Sequence, residues 1–425
     1  YMALILLLLF LTIMFIGVPI GFAMGFTTII SFLMLGGNMA VIPQKLFSSL
    51  DNFTYLCIPL FILASEMMSS GGITENIVRF CDTLVGHIRG GLAHVNVLGS
   101  MFFAGISGSA TADVAGLGAL EVDMMTRAGY SRDYSAAVTA ASAIIGPIIP
   151  PSGIMIIYAV VAGNISVGKM FLGGIIPGIL LGLGYMFVCY IKAVKNNHPR
   201  RERMSSFAEI GRAAINTLPS LMLPVIIIGG ISSGVFTATE SAAIAVLYAF
   251  IISKFVTKSL DMKTFFKCCI STAKTTANVM FIIAIASAMG WVITALQIPQ
   301  QVTSFFINYV NSRTVFLIFT NLILLLIGAI LDQSPALLIM APILLPVAKQ
   351  FGVDPLHYGL IMVFNLCIGL ITPPVGMTLF VTSNVAKVKL DVLYREILPF
   401  VAIAIVVLLL ITFVPQTVLF IPNLL

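Results

Sequence analysis

Charged residues are missing from long stretches of the chain. No Asp, Glu, Lys or Arg occurs in 1–44, 90–112, 134–168, 170–191, 213–239, 275–312, 314–331, 355–386 or 397–425. A helix that crosses the hydrocarbon core of a bilayer needs about 20 apolar residues, so these runs supply about ten to twelve crossings or part-crossings. Their apolar residues fall on every helical face, as in lipid-embedded helices; a surface helix would carry only an apolar stripe. The alternation of a membrane β-barrel strand is missing. The pattern predicts an all-α polytopic membrane protein.

Composition agrees. Of 425 residues, 59% are hydrophobic and 9% charged, and mean hydropathy is +1.10. A soluble domain carries about 25% charged residues. Soluble, disordered, nucleic-acid-binding and extracellular disulfide-framework proteins are thereby excluded. The net charge of +6 is read as membrane orientation, because Lys and Arg gather in cytoplasmic loops. One polar link, roughly 192–212, sits mid-chain and carries Lys192, Lys195, Arg200, Arg201, Arg203 and Arg212. A second basic stretch holds Lys254, Lys258, Lys263, Lys267 and Lys274. Both are expected on the cytoplasmic side, with 213–253 crossing out and back between them. The six cysteines form no C-x-x-C pair and are read as packing thiols. The apolar start has too many later companions to be a cleaved signal peptide.

The mid-chain link divides the chain into halves 1–200 and 201–425, and the halves repeat. Gly146-Pro-Ile148-Ile-Pro150-Pro151-Ser-Gly153 returns as Gly369-Leu-Ile371-Thr-Pro373-Pro374-Val-Gly376, an offset of 223. In the same register Gly129 falls on Gly352, Thr111 on Ser334 and Gly105 on Gly328. Each half carries two devices. The first is an apolar run ending in small polar residues: Ser107-Gly108-Ser109-Ala-Thr111-Ala-Asp113, and Gly328 to Ser334. In the first half the return of about 13 residues reaches only about 20 Å, short of a 30 Å core. Re-entrant hairpins are therefore expected at about 90–126 and about 314–348. The second device is a broken helix, expected at about 134–168 and about 355–386. Each holds a Pro-Pro pair, which removes two donors and disfavours helix just before it. Carbonyls left bare in hydrocarbon cost several kcal/mol each unless something binds them. Bare carbonyls beside a hydroxyl-lined tip suit a desolvated sodium ion, and half-helix N-termini at that depth suit an anion.

These motifs, with Gly17-Val-Pro19-Ile-Gly21 and Gly234-Val-Phe-Thr237-Ala-Thr239-Glu240-Ser241-Ala242, resemble the large membrane subunit of TRAP (tripartite ATP-independent periplasmic) transporters nearly end to end. The resemblance implies an inverted-repeat elevator, with scaffold and transport domains, in the bacterial inner membrane. It implies sodium coupling through two or more ions and an organic-anion substrate, with sialic acid favoured and C4-dicarboxylates next. The implied partners are a small four-helix membrane subunit, a periplasmic substrate-binding protein and membrane lipid, with no nucleic acid. Carried over by position, one sodium site falls on Ser107, Ser109, Gly146, Ile149 and Pro151. A second falls on Gly328, Gly369, Thr372 and Val375, and substrate falls near Thr111, Asp113, Ser334 and Asn384. Asp332 stands where the first half has Ser109, so the tips are not chemically equivalent.

The alternative transport reading is an exporter or antiporter of related fold that needs no binding protein. An intramembrane protease would need G-x-G-D, H-E-x-x-H or a Ser/His dyad, and a P-loop ATPase would need G-x-x-x-x-G-K-[ST]; none is present, so no enzyme is expected. Proton coupling would need titratable groups and sodium coupling only oxygens; the repeat shares Gly, Pro and hydroxyls, which favours sodium. The alternative reading of Asp113 is a cap on the returning helix. Glu66 and Glu240 are expected to hold helices together. Glu121, Asp123, Arg127, Arg132 and Asp133 are expected to form a salt-linked rim.

Overall fold

The computed structural model describes residues 2–70, 73–163, 165–201, 203–309 and 312–424. Among these, every regular element is helical. Six helices are long and apolar enough to cross a membrane: Val167–Lys195, Phe207–Ser232, Ala238–Val256, Met262–Ala295, Arg313–Ile330 and Leu390–Phe413. Polar side chains fix where several begin. Ser166, Ser206, Thr237 and Asp261 each accept the N–H three residues on, satisfying a donor that a helix start leaves free.

An outer frame forms from helices Ile20–Met34, Val41–Leu50, Cys57–Ser69, Ala238–Ile251 and Met262–Ala295, which pack mainly on one another; Phe207–Ser232 joins it through Ala238–Ile251 and also packs on Ile73–Val85 and Gly91–Ser107. Inside it, Arg132–Ala143 and Pro355–Gly369 are the most enclosed segments. Every residue from Tyr134 to Ala143 and from Leu356 to Gly369 is buried. Small residues in the first, such as Ala136, Ala137, Ala140 and Ala141, allow this close approach.

Both inner helices stop before their proline pairs. In the first, residues 144–152 are non-helical and Gly153–Ala162 follows. In the second, residues 370–376 are non-helical and Met377–Ala386 follows. Both Pro-Pro bonds are cis. One N–H to C=O step corresponds across the repeat, Ile148 to Ile145 and Ile371 to Ile368, both at 3.0 Å; the next step differs, Ile149 to Ile145 at 2.9 Å against Thr372 to Gly369 at 3.0 Å. The first broken run ends earlier than its charge-free span implied. Gly163, at φ +89, closes the helix at Ala162, and Val167 already opens the next under its Ser166 cap. Glycine and a capping serine, rather than charge, punctuate the chain here.

Helices Gly91–Ser107 and Ala110–Arg127 are bent by 120° at their junction. Gly108 makes the turn at φ +63, and Ser109 caps the return by accepting the Ala112 N–H. In the second half Arg313–Ile330 passes through extended Leu331 and Asp332 into Gln333–Gln350.

A buried amide ties each of these pairs to its broken helix. Asn96 Nδ2 donates to Thr139 Oγ1, and Ser142 Oγ donates to Asn96 Oδ1, both at 2.7 Å. In the second half Asn365 Nδ2 donates to the Asn321 carbonyl at 3.1 Å and to its Oδ1 at 2.9 Å. Ser142 and Asn365 occupy the same repeat position. Asn365→Leu strips both Asn321 oxygens of this donor. It is expected to lower stability by about 1–2 kcal/mol, read as an earlier unfolding transition of the purified protein; an unchanged transition would mean that the amide pair is replaceable.

Glu240 and Glu121 depart from expectation, and the salt-linked rim is smaller than expected. Glu240 joins no second helix: its Oε2 accepts from the Thr237 N–H and Oγ1, both at 2.8 Å, closing a capping box on its own helix. Glu121 is buried with Oε1 unpartnered, off the rim, because the return helix turns it toward Gly99. The rim reduces to Arg132 with Asp123 at 3.2 Å, and Arg132 Nε also donates to the Ala386 carbonyl. Glu66 does link two helices, by accepting Ser271 Oγ at 2.7 Å.

Candidate functional site

The bend of the first pair, both breaks and the start of Gln333–Gln350 meet around one cavity of about 240 Å³. Ser107, Gly108, Ser109 and Thr111 line it from one side. Asp332, Gln333 and Ser334 line it from another, with Pro151, Ser152, Gly153 and Leu370 between. The frame supplies Ile58, Phe61, Thr275 and Val279. Hydroxyls and one amide dominate its polar surface, and Asp332 is the one charged side chain among the described lining residues.

The first candidate ion site is drawn together by backbone contact. A Cβ on Gly108 would stand 2.5 Å from the Pro151 carbonyl oxygen, so only glycine lets the bend rest on the break. Ser107 Oγ donates to the Ser109 carbonyl at 3.3 Å and accepts the Ser109 N–H at 3.4 Å. Among the described residues, no hydrogen bond reaches the carbonyl oxygens of Gly146, Ile149 or Pro151. Three bare carbonyls and two serines fit a hard monovalent cation, which binds neutral oxygens.

The second candidate ion site is tighter. A Cβ on Gly369 would lie 2.3 Å from the Gly328 carbonyl carbon and 2.6 Å from its oxygen. The Gly376 N–H crosses to the Ala329 carbonyl at 3.2 Å, joining break to bend. Thr372 Oγ1 donates to the Ile368 carbonyl at 2.8 Å, leaving its lone pairs free. Here two candidate carbonyls already have a donor: Gly369 accepts the Thr372 N–H at 3.0 Å, and Val375 accepts Tyr394 Oη at 3.4 Å. Each carbonyl keeps a second lone pair. The two sites therefore share glycines and geometry but not hydrogen-bond state.

The candidate substrate residues divide. Thr111 and Ser334 line the cavity. Asp113 does not: it is buried at 2% exposure, and among the described residues no well-formed hydrogen bond reaches its carboxylate oxygens. A Cβ on Gly146 would sit 2.7 Å from its Oδ2. Nor does it cap the return helix, since Ser109 does. Asn384 is exposed on Met377–Ala386, outside the cavity lining. Ser152, Thr275 and Gln333 complete the polar lining and escaped the sequence reading. Their signal was polar residues next to a predicted break, bend or charge boundary.

Bent and broken helices enclosing a polar cavity within an all-helical membrane chain define a transporter. The family model described as "Tripartite ATP-independent periplasmic transporter, DctM component" matches residues 7–417. The chain is 40% identical over 419 residues to the sialic acid TRAP transporter large permease protein SiaM of Vibrio cholerae, covering 97% of each chain. It is 42% identical over 379 residues to the C4-dicarboxylate TRAP transporter large permease protein DctM of Pseudomonas aeruginosa, covering 89% of this chain and 88% of that one. The chain belongs to the TRAP transporter large permease family. Permeases of this family imply a small membrane subunit and a periplasmic binding protein as partners. The solved structure of Neisseria gonorrhoeae MtrF, described with a class of antimetabolite efflux pumps, matches with a TM-score of 0.61. It covers 90% of this chain and 85% of that one at 14% identity, a likeness of fold.

Proposed function

We propose that this permease imports an organic anion across the bacterial inner membrane, coupled to two or more sodium ions, with the substrate handed over by a periplasmic binding protein. The observation that carries the proposal is that each helix break packs through glycine against the neighbouring helix pair, Gly108 on Pro151 and Gly369 on Gly328, beside one polar cavity. Each pair presents backbone oxygens where hydrocarbon offers them no partner. Sialic acid is the favoured substrate and a C4-dicarboxylate the next, since relatives named for each match the chain almost end to end.

Coupling follows from charge. An anion entering this cavity meets hydroxyl donors and the N-terminal ends of Ala110–Arg127, Gly153–Ala162 and Gln333–Gln350. It meets no Lys or Arg among the described lining residues, and it meets Asp332. Helix N-termini offset only part of a negative charge. Sodium at the two flanking sites supplies the rest, so ion and substrate favour each other's binding. The inner helices, with both bends, form the transport domain of an elevator and the outer frame its scaffold. The efflux reading draws on the MtrF likeness, which extends to fold alone; family membership favours import.

The reading is tested with the permease and its small subunit in proteoliposomes. Uptake is expected to need the cognate binding protein and to ignore ATP; uptake of free substrate without that protein would favour the exporter reading. Thr372→Ala removes one oxygen ligand and is expected to raise the half-saturating sodium concentration about tenfold, the equivalent of about 1.4 kcal/mol. An unchanged sodium dependence would remove Thr372 from the site.

A further inference from the structure

We propose that a second, apolar cavity, between the outer frame and the Gln333–Gln350 pair, holds one acyl chain of a membrane lipid. This cavity measures about 490 Å³ and is lined by Phe10 and Met14 of helix Met2–Phe15, which packs on the frame helix Ile20–Met34, by Met289 of the frame, and by Ile327 and Met340 across from them. It is separate from the polar cavity and shares none of its lining residues.

The lining offers carbon and almost nothing else. Thr27, Thr28 and Ser31 face it, but each hydroxyl donates back to its own helix, to the carbonyls of Ala23, Met24 and Thr27. No charged residue is among its described lining residues. Water would find no partners there, so the space stays dry. An empty dry space forfeits dispersion contacts along its whole wall. Whatever fills it must be apolar along its full length, which excludes a carboxylate substrate.

Position selects the occupant. Ile323 and Ile327 lie roughly three to four turns past Arg313, about 15–20 Å along that helix, at hydrocarbon depth. Met14, Ile323, Ile327 and Met340 are only half-buried, so the cavity opens toward the bilayer. Acyl chains are the molecules at hand, thin and featureless. A helix of the small subunit is about 10 Å across, and 490 Å³ would take barely one turn of it. The chain would leave Gln333–Gln350 a fluid contact with the frame, where interdigitated side chains would lock. This inference does not depend on sodium coupling.

The test uses the permease with its small subunit in nanodiscs containing phosphatidylethanolamine with a mid-chain diazirine. Irradiation follows transfer to detergent, and adducts are mapped by peptide mass spectrometry. Adducts at Met289, Ile327 or Met340 are expected to persist. Those at Leu322 and Leu326, which face outward at 58% and 60% exposure, are expected to vanish with the bulk lipid. Ile327→Trp fills the cavity and is expected to abolish the persistent adducts. The proposal is overturned if no cavity adduct forms, if cavity and outward adducts vanish together, or if they survive in Ile327→Trp. Should that variant fail to accumulate, the wild-type comparison of cavity with outward adducts decides alone.

Discussion

Gly369→Ala is expected to abolish transport. The added methyl would lie 2.3–2.6 Å from the carbonyl group and Cα of Gly328, all of them backbone. No rotamer change relieves that overlap, so the broken helix and the bend must separate. Overpacking in a tight core costs about 1–3 kcal/mol, and more where backbone must move. The consequence for function exceeds the consequence for folding, because the Gly328 and Gly369 oxygens are the proposed ligands of the second ion. Gly290→Ala is the control: its new methyl meets open space in Met262–Ala295, and uptake should be unchanged. If purified Gly369→Ala transports as the parent does, the second ion does not sit between these glycines.

Gly108→Ala tests the first site in the same way. It forces a side chain onto φ +63 and within 2.5 Å of the Pro151 carbonyl oxygen. The backbone strain alone is about 1–2 kcal/mol; the overlap adds to it and displaces a proposed ligand. The half-saturating sodium concentration is expected to rise at least about tenfold, which is about 1.4 kcal/mol of lost binding. Gly129→Ala separates strain from site, since Gly129 has φ +96 and open space around it. It should cost stability and leave sodium dependence alone. Equal shifts in both variants would mean that general strain, not ion binding, governs the effect.

Much of this architecture was legible in the sequence because lipid makes punctuation expensive. A Pro-Pro pair in a charge-free run has to break a helix, and the repeat at Gly146–Gly153 and Gly369–Gly376 put both breaks in one register. The small polar run Ser107-Gly108-Ser109 likewise marked a turn, although the cap expected as an alternative at Asp113 is supplied by Ser109. What stayed hidden depends on the third dimension. Asp113 and Thr111 are adjacent in kind and place along the chain, yet Thr111 faces the cavity while Asp113 is driven against Gly146. Thr275 and Phe61 reach the cavity from frame helices whose packing no local pattern reveals. Asn384 lies on Met377–Ala386, the second arm of the broken run, but is exposed and outside the cavity lining, because which face of that helix is covered depends on its packing against Arg132–Ala143. The Asn96–Ser142 and Asn365–Asn321 links join residues far apart in sequence, and the sequence reading singled out none of the four.

The central claim is that sodium, held by backbone oxygens at the two helix breaks, drives the anion inward. Its most direct measurement is uptake by the complete transporter in proteoliposomes, supplied with its loaded binding protein, under an inward gradient of either sodium or potassium. Accumulation with sodium, and none above protein-free liposomes with potassium, is the predicted result. Equal accumulation with either cation would contradict it.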